Sequence, residues 1–436
     1  VSFAVLPDGY TREGRHCAEL VRSMTACGAV DAVGLNCVSA PGAMRALVQQ
    51  LGETELPLAV MPNAGYPVVT RTRVQYQGRP EYFARELARL AAEGVRILGG
   101  CCGTTPAHIA ALRAALDALP ETLPAAPAAA VSTATKPEVE KDDAFLRKLN
   151  AGKKVIAIEL DSPKDADLTG YLDGARRLQA AGADLLTIAD CPIARARMDS
   201  SLVACRVHRE LGLNVLPHMT CRDRNLNATK ALLLGLYAEG VREVLAITGD
   251  PIPTAERDEV KNVYQFNSRK LAQYIVSLAG EGREMPSPLT VFGALNLNAR
   301  NFDVELRRAQ EKLQNGMSGF LTQPVLSAQA VVNLKKTRET LGEKAKILAG
   351  IMPVVSQRNA VFMENEVNGI HVDAEIIERF AGLDRAQGEE LGLEVSVKAA
   401  QAAAPYADGF YLMTPFNRIA LMERLIARLK DEGIAD

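Results

Sequence analysis

Short apolar or β-branched runs recur along this chain, separated by stretches with helical apolar spacing. In the C-terminal two-thirds the runs are VIAIEL (155–160), DLLTIAD (184–190), NVLPHMTC (214–221), EVLAITGD (243–250), LTVFGALN (289–296), GFLTQP (319–324), KILAGIMP (346–353) and GFYLMTP (409–415). Between them lie segments such as YLDGARRLQAAGA and DVELRRAQEKLQNGM. Their apolar residues recur three and four apart and a glycine stands near the end, the pattern of an amphipathic helix. Strand-like runs alternating with helices predict an α/β fold, a (β/α)8 TIM barrel. An open doubly wound sheet is the alternative. The chain has no G-x-G-x-x-G and no P-loop, which weighs against a Rossmann-type or P-loop nucleotide site.

The N-terminal part repeats the rhythm at half length: VSFAVL, AVDAVGLNC, LPLAVMPN and VRILGG. These units predict half of a second TIM-type (β/α) barrel, with an apolar sheet edge that favours self-association into a homo-oligomer. Between the two parts, PETLPAAPAAAVSTATKPEVEK (120–141) is rich in Pro, Ala and Thr and has no apolar period. It reads as an extended linker. The expected domains are therefore 1–119 and 142–436.

Composition narrows the function classes. A net charge of -2 over 436 residues gives no electrostatic case for nucleic acid or an anionic membrane. No apolar stretch reaches bilayer length. The 8 cysteines are too sparse for a disulfide scaffold, so a reducing, cytoplasmic setting is expected.

The candidate chemistry lies at the strand ends. Cys37 closes AVDAVGLNC, and Cys101 and Cys102 close VRILGGCC. Active sites of such barrels lie at the C-terminal ends of strands, so these thiols are expected to converge on one metal. Three cysteine ligands and an open position describe a catalytic zinc site that lowers the pKa of a bound thiol. Isolated cysteines such as Cys17, Cys27, Cys191 and Cys205 read as small apolar residues. GLNC followed by GGCCGTTPAHI resembles the zinc-dependent homocysteine S-methyltransferases over about 1–118. The resemblance implies that Cys37, Cys101 and Cys102 bind Zn2+, which activates homocysteine as a thiolate for methyl transfer. The methyl donor is left open between methyltetrahydrofolate and another compound such as S-methylmethionine.

In the larger barrel, polar residues cluster after the apolar runs: Glu159, Thr187, Asp190, His218, Thr220, Asp250, Asn296, Asn298, Gln323, Asn417 and Arg418. Singly, each has an ordinary structural explanation: a turn for Asp250, a core histidine for His218. Repetition at one end predicts a polar mouth. Glu159 sits in an apolar strand, where desolvation raises a carboxyl pKa and makes a general acid. Asp250, ionised, would stabilise a cation. No Ser-His-Asp order or paired-carboxylate spacing competes, so proton delivery beside a redox cofactor is expected.

VIAIELDSPK, PHMTCRDRN, AITGDPIP, FNSRKL and GFLTQPVLS, in this order, resemble the methylenetetrahydrofolate reductase family over 142–436. The resemblance implies a (β/α)8 barrel with FAD across the strand ends. It implies reduction of 5,10-methylenetetrahydrofolate to 5-methyltetrahydrofolate with electrons from NADH or NADPH. Glu159 would protonate N10 as the five-membered ring opens, and Asp250 would stabilise the cation. Gln323 would orient folate and, in the other half-reaction, the nicotinamide. Thr187, His218, Gly249, Asp250, Asn267, Ser268 and Lys312 would contact FAD. The chain departs from the pattern at Thr248, where several members carry Arg, and at Ile188, where some carry Tyr. Together the halves resemble a methyltransferase–reductase fusion. The alternatives are a homocysteine methyltransferase with a folate-binding barrel, and a non-catalytic folate- or flavin-binding scaffold.

Overall fold

A computed structural model describes residues 1–436 except 8, 12–14, 38, 52–53, 70–73, 77, 120–142, 257–258, 281–282 and 368. The chain divides into two compact units, Val1–Val139 and Glu140–Asp436. The expected linker, 120–141, lies outside the described residues.

In the first unit β1 (Ser2–Ala4), α1 (Cys17–Cys27), β2 (Val33–Asn36), α2 (Pro41–Leu51) and β3 (Leu58–Met61) follow in turn. An antiparallel hairpin comes next, β4 (Pro67–Val69) and β5 (Val74–Tyr76), then α3 (Pro80–Ala92), β6 (Ile97–Leu98) and α4 (Pro106–Asp117). Strands β1, β2, β3 and β6 lie side by side in that order, all parallel. Their core joins Leu35 and Val60 to Met44, Leu47, Phe83 and Leu87 from the helices. Phe83, Leu87 and Leu90 recur at helical spacing, so α3 buries one stripe. The hairpin is a departure from the periodicity, because strands of 3 residues are too short to show an alternation.

The second unit opens with α5 (Ala144–Asn150) and then alternates strand and helix. The strands are β7 (Val155–Glu159), β8 (Leu185–Ile188), β9 (Asn214–Thr220), β10 (Glu243–Ile247), β11 (Thr290–Leu295), β12 (Gly319–Pro324), β13 (Lys346–Ile351) and β14 (Gly409–Met413). They are parallel and form a closed barrel in which β14 pairs with β7. Closure rules out the doubly wound alternative. The main helices are α6 (Thr169–Ala181), α7 (Ser200–Leu211), α8 (Leu226–Ala238), α9 (Ser268–Ser277), α10 (Phe302–Gln314), α11 (Ala328–Leu341), α12 (Gln357–Glu366), α13 (Ala374–Arg379), α14 (Arg385–Ala403) and α15 (Ile419–Asp431).

Both faces of each barrel strand are buried, which is why the strands read as continuous apolar runs. Val155, Ala157, Leu185, Leu216, Phe292, Leu321 and Leu348 form the inner core, joined by Phe145 and Leu149 of α5. Ile156, Ile158, Leu186 and Ile188 point the other way, into the layer shared with the helices. The period of two therefore carries Glu159 inward, two positions beyond Ala157. Among the described residues no helix is long and apolar enough to cross a membrane.

Candidate functional site

The C-terminal ends of the barrel strands surround a cavity of about 1230 Å3, lined by Glu159, His218, Thr220, Gly249, Asp250, Gln323 and Tyr411, among others. Glu159 is 23% exposed toward it and accepts a hydrogen bond from the Tyr411 hydroxyl on the closing strand. Burial pushes the Glu159 carboxyl up to about 7; Asp161 adds to this and the Tyr411 hydrogen bond opposes it. His218 Nε2 lies 3.8 Å from Glu159 Oε2 and has no hydrogen-bond partner among the described residues. Burial pushes the imidazole down to about 4, partly countered by Asp190, so His218 is neutral near pH 7. The pair is therefore a carboxyl poised to lose a proton beside an uncharged ring.

Asp250 is exposed at the rim, and its Oδ2 accepts from Ile193 N at 2.8 Å. Gln323 sits where the β12–β13 register shifts, between Leu321 and Pro324. Thr322 Oγ1 accepts from Gly350 N at 2.8 Å in this irregular stretch. An irregularity of this kind re-aims a side chain at a barrel rim. Buried Asp190 accepts from Thr220 N, Thr220 Oγ1 and Arg224 Nη1 at 2.9–3.1 Å.

In the first unit the thiols of Cys37, Cys101 and Cys102 lie within 4.8 Å of one another. Cys37 Sγ is 3.4 Å and Cys101 Sγ 4.0 Å from Cys102 Sγ. Backbone bonds fix the three strand ends: Cys37 N to Met61 O, Cys101 N to Pro62 O, and Ala64 N to Cys102 O, each 2.9 Å. Gly103 has φ +78°, and a Cβ there would fall 2.3 Å from the Tyr76 ring, so both conformation and space demand glycine. His108 joins this turn to the segment ahead of α3: Nε2 donates to Gly78 O at 3.0 Å, leaving Nδ1 to accept from Thr105 N at 3.3 Å. Burial and the neighbouring Cys37 thiol push Cys101 up to about 11.

Residues 144–430 match the methylenetetrahydrofolate reductase family. The chain belongs to that family. Residues 1–116 match a second family, homocysteine S-methyltransferase, so the chain is a fusion of the two. The chain is 44% identical over 89 residues to a methionine synthase of Mycobacterium tuberculosis, covering 20% of this chain and 8% of the relative. It is 36% identical over 115 residues to the homocysteine S-methyltransferase of Escherichia coli, covering 26% of this chain and 37% of the relative. The chain thus spans less than half the length of these curated relatives. A solved Clostridium thermocellum protein, described as binding two copies of 5-methyl-5,6,7,8-tetrahydrofolic acid, aligns with 66% of this chain and 99% of its own at 13% identity and TM-score 0.49.

Within the reductase barrel, the cavity gathers Glu159, His218, Gly249, Asp250 and Gln323. The other residues the sequence suggested for cofactor contact lie elsewhere. Thr187 is fully buried below the rim. Asn267 caps α9, accepting from Lys270 N at 3.0 Å, and Ser268 is the first residue of that helix. A cap of this kind stabilises by about 1 kcal/mol. Lys312 is half-buried and donates to Ala294 O. Asn296 and Asn298 join loops, Asn298 Nδ2 donating to Gly369 O at 3.0 Å. Arg418 does line the cavity and donates to Glu389. Tyr411, Ile193 and Phe416 also line the cavity, and Arg222 binds the Asp250 carbonyl, though the sequence pattern assigns them no role. The inward period-two position of Tyr411 in GFYLM is the signal that finds it.

Proposed function

We propose that the barrel reduces 5,10-methylenetetrahydrofolate to 5-methyltetrahydrofolate with NADH or NADPH, and that FAD binds at its mouth. The observation that carries this reading is Glu159: a carboxyl held near neutrality in one cavity with a neutral His218, Asp250 and Gln323. The cavity fits a dinucleotide cofactor together with a substrate. Its volume exceeds the roughly 300–1,000 Å3 of ordinary small-molecule sites, and buried His218 Nε2 and Thr414 Oγ1 of residues lining it have no hydrogen-bond partner among the described residues. Exposed apolar Ile193 and Phe416 line its rim. Bound FAD supplies hydride chemistry that side chains lack. Glu159 holds the proton destined for N10 of the folate as its ring opens. Asp250 offers a carboxylate to the developing positive charge, and the Gln323 amide orients the heterocycle.

We further propose that Cys37, Cys101 and Cys102 hold Zn2+ that activates homocysteine for S-methylation. Tetrahedral zinc with bonds near 2.3 Å needs sulfurs about 3.8 Å apart, and the observed spacings bracket that value. These thiols keep a substrate thiol's fourth position open, as a catalytic site requires. Purified protein should take up FAD and turn yellow. Its visible flavin band should bleach with NADH or NADPH and recover with methylenetetrahydrofolate. Protein that stays colourless in excess FAD would overturn the reductase reading.

A further inference from the structure

The rim of the barrel contains a cation that the proposed chemistry does not use. Arg222 follows β9, and its side chain is 2% exposed. Its guanidinium binds three strand-end loops at once. Nε and Nη2 donate to the Asp223 carboxylate at 2.7–3.0 Å, Nη1 to Asp250 O at 3.2 Å, and Nη2 to Cys191 O at 3.3 Å. The two carbonyls belong to the loops after β10 and β8. Those loops are also joined directly, because Asp250 Oδ2 accepts from Ile193 N at 2.8 Å. Arg222, Cys191–Ile193 and Asp250 therefore close a hydrogen-bonded ring.

The ring holds a backbone that is costly to maintain. Cys191, Ile193 and Ala194 have φ of 48°, 58° and 56°, left-handed values that a β-branched residue such as Ile strongly disfavours. Gly249, before Asp250, has φ +89°, and a Cβ there would meet Thr220 at 2.9 Å. Such conformations persist only where the surroundings over-determine them. A planar guanidinium directs donors to several acceptors at fixed angles, which a lysine ammonium does not. Arg222 is too buried to touch a ligand, whereas Asp250 and Ile193 both line the cavity.

We propose that Arg222 is a positioning residue for folate recognition, fixing Asp250 and the Ile193 rim through their main chains so that the Asp250 carboxylate meets the ligand in one orientation. This rests on the folate reading given above. The test is a double-mutant cycle on the FAD-loaded full chain, read as the dissociation constant for 5-methyltetrahydrofolate. Arg222→Met should weaken binding by about 10- to 100-fold, the scale of a misplaced contact, and Arg222→Lys by less. If Arg222 acts through Asp250, the Arg222→Met/Asp250→Asn double variant should bind no more weakly than Asp250→Asn alone. Thermal melts report whether the fold survives. Asp223→Asn, on the 37% exposed partner, loosens the same guanidinium without emptying a buried site, and should weaken binding in the same direction. Arg222→Met and Asp223→Asn variants that bind like wild type, or losses that multiply in the double variant, overturn the proposal alone. Wild-type protein that binds no reduced folate overturns the folate reading with it.

Discussion

Glu159 and Tyr411 are 252 residues apart, yet the hydroxyl of one meets the carboxylate of the other. The raised carboxyl pKa sets a pH dependence with a definite sign. An acid held near 7 is protonated below that pH and loses its proton above it, so folate reduction should fall as pH rises through about 7. The Tyr411 hydroxyl favours the carboxylate, so Tyr411→Phe should raise the Glu159 pKa and move the falling limb of the pH–rate profile to higher pH. A limb that stays put would separate Tyr411 from the proton donor. Glu159 was legible because it ends an apolar run, where burial of a carboxyl is expected. Its pairing with Tyr411 was not, because the period of two turns that tyrosine inward but only barrel closure, with β14 beside β7, brings it to Glu159. The helix-capping role of Asn267 was not legible either, because a polar residue ahead of a helix reads equally as ligand contact or cap; its Oδ1 accepts from Lys270 N.

The barrel strands were legible as elements because burial on both faces leaves apolar runs that no surface helix shows. The floor was less so. Asp143 caps α5, accepting from Leu146 N at 2.9 Å, and also accepts from Asn214 Nδ2 at 2.8 Å. Glu243, the first residue of β10, is 1% exposed, and burial followed by the nearby Asp143 raises its pKa well above the ordinary carboxyl value. The linkage is clear in sign. A folded-state pKa above the unfolded one gives stability that is fully present below the unfolded carboxyl pKa and is lost as pH rises toward the folded one. Glu243→Gln keeps the shape and has no proton to lose. It should flatten the decline of thermal stability with rising pH, measured by circular dichroism melts. An unchanged decline would show that Glu243 does not titrate with unfolding. The shift in register that presents Gln323 was also illegible, since GFLTQP carries no mark of it.

At the scale of the whole molecule, two motif sets specify two compact units, each with its own site. The convergence of Cys37 with Cys101 and Cys102 was legible from the rule that barrel chemistry collects at C-terminal strand ends. The hairpin carrying Tyr76 against Gly103 was not. Zinc content should fall from about one ion per chain to near zero in Cys102→Ser, measured by elemental analysis, because losing one of three thiolates removes much of the binding. Metal loading should weaken as pH drops, since protons compete for the sulfurs. FAD uptake should be the same in this variant as in wild type, and a joint loss would mean that the sites are not independent. In the barrel, Glu159 is expected to serve the folate step and not the flavin step. Rapid mixing of FAD-loaded Glu159→Gln separates the two steps. Bleaching of the flavin by NADH or NADPH should proceed at the wild-type rate, while recovery with methylenetetrahydrofolate should slow by about 10²- to 10⁴-fold, the usual worth of a general acid. Equal slowing of both steps, or of neither, would contradict the account.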